Sequence, residues 1–349
     1  MRKISAVVTI MGTVILLMLM GCYNSNAKSY EPKQIDKISA WAVYWDVDAT
    51  LAEIALLQDN LESLHYFAAY FDNDAQLFVP EQTTQLFQEV QTLYPEHSWD
   101  SYLTIVNDQL LSNGNSLLKD TTLLYTLLAD DASIANHIEA IIDFAQAGGY
   151  DGIEIDYETI NKDFALWNSF LKFCQLLFER TTQEDLKLRI LLEPGAPLAD
   201  LNFPVGPEYV MMCYFLHGPN GEPGPLADYA FLEQLVARMQ LLPSGEKSFA
   251  LTTGGFDWLG NISQELNEQE ALALLASTQS VPSRDSTSGV LTFQYQGIDG
   301  MHEVWYTDGA TINNWMQTIL QDDNYGITIW KLGKNNDPAS WFKIPDSKL

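Results

Sequence analysis

Gly149-Tyr150-Asp151-Gly152-Ile153-Glu154-Ile155-Asp156-Tyr157-Glu158 stands near the middle of a 349-residue chain. Read as a β-strand, its period of two places Glu154, Asp156 and Glu158 on one face, and Ile153, Ile155 and Tyr157 on the other. A helical run precedes it, with apolar Ile134, Ile138, Ile141, Ile142 and Phe144, and closes at Gly148-Gly149. A second helical run, Phe164 to Glu179, follows. A strand between two helices is expected in a parallel sheet covered on both faces, where Val, Ile and Leu are the ordinary residues. Three carboxyl groups there are costly to desolvate and raise one another's pKa, so at least one is expected to hold its proton at neutral pH. A surface strand with an acidic face is the bland alternative; the helical flanks and the clean alternation of isoleucines weigh against it.

The same β-α rhythm extends in both directions. Ser39 to Trp45, Leu64 to Phe71 and Tyr102 to Val106 read as strands one to three, and the acidic stretch as the fourth. Leu186 to Leu192, Tyr209 to Phe215, Phe249 to Thr252 and Tyr325 to Trp330 supply strands five to eight, with helical patterns between them. Gly289 to Tyr306 alternates instead like an antiparallel hairpin turned at Gly297 to Gly300, after a helix at Glu268 to Ala276. The fold class is therefore α/β, a (β/α)8 TIM barrel with a small α+β insertion at about residues 259–309 between strands seven and eight. A barrel of this kind places its site at the C-terminal ends of the strands. Glu158, Tyr214, Asp257 and Trp330 fall at or just past four of those ends. Paired carboxyls suit glycosidic acid/base chemistry, and aromatic faces suit stacking on sugar rings. Trp45, ending strand one, is a further stacking candidate.

The N-terminus reads as an address. Arg2 and Lys3 precede an apolar run, Ala6 to Met20, too short for a comfortable membrane span, which ends in Leu19-Met20-Gly21-Cys22. That ending resembles the bacterial lipobox, which implies cleavage after residue 21, lipid on Cys22, and export to a lipid-anchored position on the cell envelope. Residues 22–37 read as a tether and residues 38–349 as the barrel. The net charge of −28 argues against nucleic acid as a partner, since phosphate binding needs clustered Lys and Arg. Cys174 and Cys213 sit in apolar runs and read as small buried hydrophobes, with a single bridge left open. No His, Cys or carboxylate spacing suggests a metal, and no cofactor is expected; the chain is expected to act as a monomer.

Asp151-Gly-Ile-Glu-Ile-Asp-Tyr-Glu158 resembles the Asp-x-x-Asp-x-Asp-x-Glu signature of glycoside hydrolase family 18. Trp41 to Asp46, Met212-Cys-Tyr214, Pro223-Gly-Pro225, Trp330-Lys-Leu-Gly333 and His302 to Asp308 match further segments of chitinase-like and spore-wall members, so the likeness runs from about Ile38 to Trp341. The resemblance implies a retaining glycosidase acting on β-linked N-acetylglucosamine glycans such as chitin, peptidoglycan or N-glycans. It implies that Glu158 is the proton donor and that the substrate's own acetamido oxygen attacks the anomeric carbon. Asp156 would orient that acetamide, Glu154 would tune Asp156 from below, Tyr214 would bond the acetamido oxygen, and Trp330 would floor the subsite. Asp257 and Trp45 are sugar-contact candidates. Two positions depart from the pattern: Glu154 stands where the family has Asp, and Phe215 where the strand-six motif continues with Asp. Those departures motivate a second reading, a surface lectin with weak or no turnover. A protein-binding or purely structural lipoprotein is the third, and it leaves the acidic triplet without a purpose.

Overall fold

The computed structural model describes residues 32–343, apart from positions 113, 161, 220 and 322. The leader, Cys22 and most of the tether lie outside the described residues. Eight parallel strands pair in a closed ring: β1 (Ile38–Val43), β2 (Leu61–Phe71), β3 (Asp100–Leu110), β4 (Gly152–Asp156), β5 (Lys187–Leu192), β6 (Glu208–Met212), β7 (Lys247–Thr252) and β8 (Gly326–Trp330). Closure is made where Ser39 of β1 pairs with Thr328 of β8. The barrel expected from the sequence is present, with all eight strands in the expected places.

The key strand behaves as its alternation requires. Ile153 and Ile155 of β4 join the main apolar cluster, with Ile134, Ile138, Ile141 and Ile142 of the preceding helix α1 (Asp131–Gly148) and Phe170 and Phe173 of the following helix α2 (Phe164–Gln183). Gly149 ends α1 in the left-handed conformation, φ 78°, and its N–H bonds the Ala145 carbonyl at 3.0 Å, which turns the chain sharply into the strand. The other face of β4 points into the barrel, so Glu154 and Asp156 are buried there.

Two connections differ from the even rhythm of the sequence reading. The β5–β6 segment, residues 193–207, carries no helix among the described residues: Pro194, Pro197, Pro204 and Pro207 remove the N–H groups a helix needs. The Arg238 guanidinium bonds the carbonyls of Pro194 and Ala196 instead. The insertion between β7 and β8 starts earlier than expected. Its first hairpin, Gly255–Leu259 with Ile262–Leu266, pairs with the hairpin Leu291–Gln296 and Met301–Tyr306, and Ser283–Arg284 completes a five-stranded antiparallel sheet.

Gly255 lies hard against the backbone of its paired strand. A Cβ there would sit 1.9 Å from the Trp305 carbonyl oxygen and 2.8 Å from Tyr306 Cα, both backbone atoms of the paired strand. Gly255→Ala should therefore lower the urea midpoint by the equivalent of about 2 kcal/mol or more, the cost of overpacking against atoms that cannot rotate aside. An unchanged midpoint would contradict this close approach.

Candidate active site

The barrel interior is polar where most such barrels are apolar. Glu154, 0% exposed, is surrounded by groups from four other strands. Trp41 Nε1–H of β1 donates to its Oε1 at 2.6 Å, and the Thr104 hydroxyl of β3 donates to the same oxygen at 2.9 Å. Arg189 Nε of β5 donates to Oε2 at 3.1 Å, and His65 Nδ1 of β2 lies 2.9 Å from Oε2. Burial by itself would raise the pKa of Glu154, but contact with His65, Arg189 and Thr104 more than reverses it and brings it down to about 2. His65 is pushed the other way, since burial lowers its pKa and favours the neutral ring.

One turn of the pleat higher, Asp156 meets the opposite environment. It is 5% exposed, its Oδ1 is buried without a hydrogen-bond partner, and burial, reinforced by Glu158 and Glu154 and opposed by Lys119, pushes its pKa up to about 8. This is the direction expected of the carboxyl of the stretch that keeps its proton most readily. Glu158 lies two residues beyond the end of β4. Its peptide is clasped by Asn107 of β3: Glu158 N–H donates to Asn107 Oδ1 at 3.0 Å, and Asn107 Nδ2 donates to the Glu158 carbonyl at 3.2 Å.

Lys119, which the sequence reading did not single out, completes this layer. Its Nζ is 2.6 Å from Glu158 Oε1, 3.3 Å from Asp156 Oδ2 and 4.0 Å from Asp108 Oδ1. Burial pulls its pKa down, but its acidic neighbours Asp156, Glu158 and Asp108 more than reverse this, so it remains an ammonium.

Aromatic groups wall the mouth. Tyr214 packs in one cluster with Trp41, Met212, Phe256 and Trp258, and Trp330 leans on it. The Trp330 ring stands edge-on to Trp41 at 5.8 Å and to Phe67 at 4.7 Å. Glu53 fixes the loop behind Trp330 by accepting the backbone N–H groups of Gly333 (2.8 Å) and Asn335 (2.7 Å). Trp45 is half exposed and edge-on to Phe67 at 5.8 Å, which extends the aromatic rim outward. Phe215 is exposed beside Tyr214.

Asp257 is not brought into this group. Phe256 and Trp258 face the mouth cluster, so Asp257 between them faces the other side of the insertion sheet. There its carboxylate accepts the Tyr295 hydroxyl at 2.6 Å and contacts His302 Nδ1 at 2.9 Å. The expected sugar contact is thereby corrected to a buttress of the insertion. Trp305, paired with Phe256, shares the mouth face. Cys174 and Cys213 are buried free thiols. No group of side chains suited to a metal occurs among the described residues.

No family model matches the chain. Over 274 residues, 70% of this chain and 58% of the relative, it is 24% identical to the cortical fragment-lytic enzyme of Bacillus subtilis. It spans 59% and 72% of the lengths of two further proteins of that organism named as glycosylases. Among solved structures it resembles a chitinase of Chromobacterium violaceum, with TM-score 0.72 and 18% identity over 88% of this chain and 97% of that one. It resembles equally the spore cortex-lytic enzyme SleL of Bacillus cereus, with TM-score 0.72 and 18% identity over 89% of this chain and 74% of that one. The fold is thus that of the barrels in these chitinase and cortex-lytic structures.

The Glu154–Arg189 pair lends itself to a direct test. Glu154→Gln removes the charge that balances a buried guanidinium, of which Glu208 alone then remains as a carboxylate partner at 3.1 Å. Unfolding at pH 7 should show a loss of about 3 kcal/mol. Because the folded pKa of Glu154 is depressed, its contribution is present above the ordinary carboxylate pKa and lost as pH falls towards about 2. The gap between parent and variant should therefore narrow between pH 4 and pH 2, and a gap that holds constant would refute the ionised assignment.

Proposed function

We propose that the chain is a retaining glycosidase that hydrolyses β-linked N-acetylglucosamine-containing glycans, with Glu158 as acid and base. The observation that carries this reading is the vertical pair at the end of β4: Glu158 at the mouth and Asp156 beneath it, held up to about 8 with a buried oxygen that has no partner. The names of the relatives, cortex-lytic enzyme and chitinase, support the substrate class. So does a related class V chitinase from tobacco, solved with the tetrasaccharide NAG4 at 14% identity over 90% of this chain.

In the proposed mechanism, Glu158 gives its proton to the glycosidic oxygen as the bond to the anomeric carbon breaks. The acetamido carbonyl oxygen of the same sugar attacks that carbon, forming a cyclic oxazolinium. Asp156, once its own proton has passed to Glu158, accepts the acetamide N–H at its unpartnered oxygen and balances the positive charge; the buried site makes such a contact stronger than in water. Glu158, now a carboxylate, takes a proton from water as the water oxygen opens the ring from the face the leaving group left. Two displacements on one carbon give net retention. Tyr214 would donate to the acetamido oxygen, Trp330 would carry the apolar face of the sugar, and Trp45 would stack on a sugar further along. Glu154 is assigned a supporting role, through the hydrogen bonds that fix β4.

The Cys22 motif supports export and lipid anchoring at the cell envelope, which would bring a monomeric barrel to a glycan at the surface. A lectin reading is favoured by one observation, the ion pair that Lys119 makes with the proposed acid. Chitooligosaccharides, peptidoglycan and an N-linked glycan, each incubated with the parent and with Glu158→Gln, separate the two. The glycosidase reading expects β-configured reducing ends as first products from the parent, and at least about a thousandfold lower kcat in the variant with KM little changed. Binding without cleavage by the parent would establish the lectin, and equal cleavage by the variant would remove Glu158 from the role of acid.

A further inference from the structure

Asp156 has no carboxyl partner to share its proton with from below. The polar groups around Glu154 come from Trp41, Thr104, Arg189 and His65, and they surround its two oxygens. The charge that does touch Asp156 comes from the side, at Lys119. This lysine is built into the site by its backbone. Its N–H donates to Asp108 Oδ1 at 2.7 Å, its carbonyl accepts the Thr159 hydroxyl at 2.7 Å, and its φ of 53° lies in the left-handed region that ordinary residues avoid. The chain reaches it by an excursion: β3 runs out to Leu110, returns through the short antiparallel pairing at Ser116–Leu117, and Asp120 N–H then bonds back to the Asn107 carbonyl at 3.0 Å. Asn107, which clasps the Glu158 peptide, and Lys119, which holds its carboxylate, are thus the two ends of one loop.

We infer that Lys119 is the positioning residue of the Asp156–Glu158 pair, fixing one oxygen of each carboxyl and leaving the other to the substrate. The inference rests on the glycosidase reading for its catalytic consequence and on geometry for the rest. The charged and titratable groups around the pair are Asp108 from β3, Glu154 below, Tyr214 from the β6 end, and Glu193, whose Oε2 accepts Thr159 N–H at 2.8 Å. Lys119 is the cation among them that contacts both carboxyls. Its ammonium lets the pair carry one proton and one negative charge: the proton that Asp156 holds in the empty site can pass to Glu158 as the acetamide N–H binds, which leaves Glu158 the acid and Asp156 the anion. Without it, two carboxyls and their acidic neighbours would bind protons more tightly, because like charge disfavours ionisation.

The test uses Lys119→Met, which keeps the length of the stem, Lys119→Gln as a second neutral variant, and Lys119→Arg, which keeps the charge. The neutral variants are expected to lower kcat about tenfold or more with KM within about threefold, and to move both limbs of the pH profile of kcat/KM upward by about one unit or more. Lys119→Arg is expected to return the limbs most of the way. Limbs that stay in place, a loss confined to KM, or an arginine variant that behaves like methionine would each overturn the inference. Carboxyl carbon NMR titrations of the parent and Lys119→Met, assigned with Asp156→Asn and Glu158→Gln, give a readout that needs no turnover. A parent that cleaves none of the glycans sinks the glycosidase reading alone. Titration curves of Asp156 and Glu158 that coincide in parent and variant sink the role of Lys119.

Discussion

The buried pair of Glu154 and Arg189 is the constraint from which the rest of this barrel follows. Arg189 enters the interior from β5 and reaches Glu154 on β4, Glu208 on β6 and Thr328 on β8, the last at 2.7 Å from Nη2. Glu154 in turn collects Trp41, His65 and Thr104 from β1, β2 and β3. Seven of the eight strands are tied through two side chains. Such a pair is not a strong source of stability, because desolvating both charges offsets most of their attraction. It does make any shift in strand register expensive, since a slip of one residue would send these groups to the apolar outer face. Tyr102 adds to the same layer by stacking on His65 at 4.7 Å with the Arg189 guanidinium over its ring at 5.8 Å.

Two residues along the same strand, the same alternation produces the reverse outcome. Glu154 meets an arginine and three polar groups and is ionised; Asp156 meets burial and other carboxyls and is held up. The Glu154 oxygens lie among an inner ring of polar groups from four other strands. The charge on the upper layer must then be balanced at the mouth, and Lys119 is where the chain supplies it.

The barrel was legible because it depends on period and order, which a sequence displays directly. Alternating isoleucines against carboxyls placed β4 and its faces, and the helical runs around it placed it in a parallel sheet. The ring of aromatic groups was legible in part, since Tyr214 and Trp330 end strands. Asp257 was misplaced because parity decides its face: the hairpin beginning at Gly255 turns Phe256 and Trp258 to the mouth, and the residue between them must look away. Lys119 carried no local signal at all. It sits in a turn-rich excursion thirty-nine residues before Glu158, and only the pairing of β3 beside β4 brings the two together. Arg189 did leave a trace, as a charged residue between Leu188 and Ile190 at an inward position of its strand, which in a closed barrel requires a partner of opposite charge.

The two carboxyls of β4 also pull the pH dependence of folding from opposite sides. Glu154, with a depressed folded pKa, stabilises the barrel above the ordinary carboxylate range and ceases to do so as it protonates towards about 2. Asp156, with a folded pKa raised to about 8, binds its proton more tightly in the folded chain than in the unfolded one. Its favourable contribution is therefore full in acid and is lost as pH rises from about 4 through about 8. On the proposed mechanism, the residue that would meet a substrate acetamide is one whose ionisation the fold resists, and the binding of a donor to its empty oxygen would relieve that resistance. On the glycosidase reading, such a site would give up some stability when empty and recover part of it on the ligand, and the energy of holding Asp156 dry would be available to the step in which positive charge develops beside it.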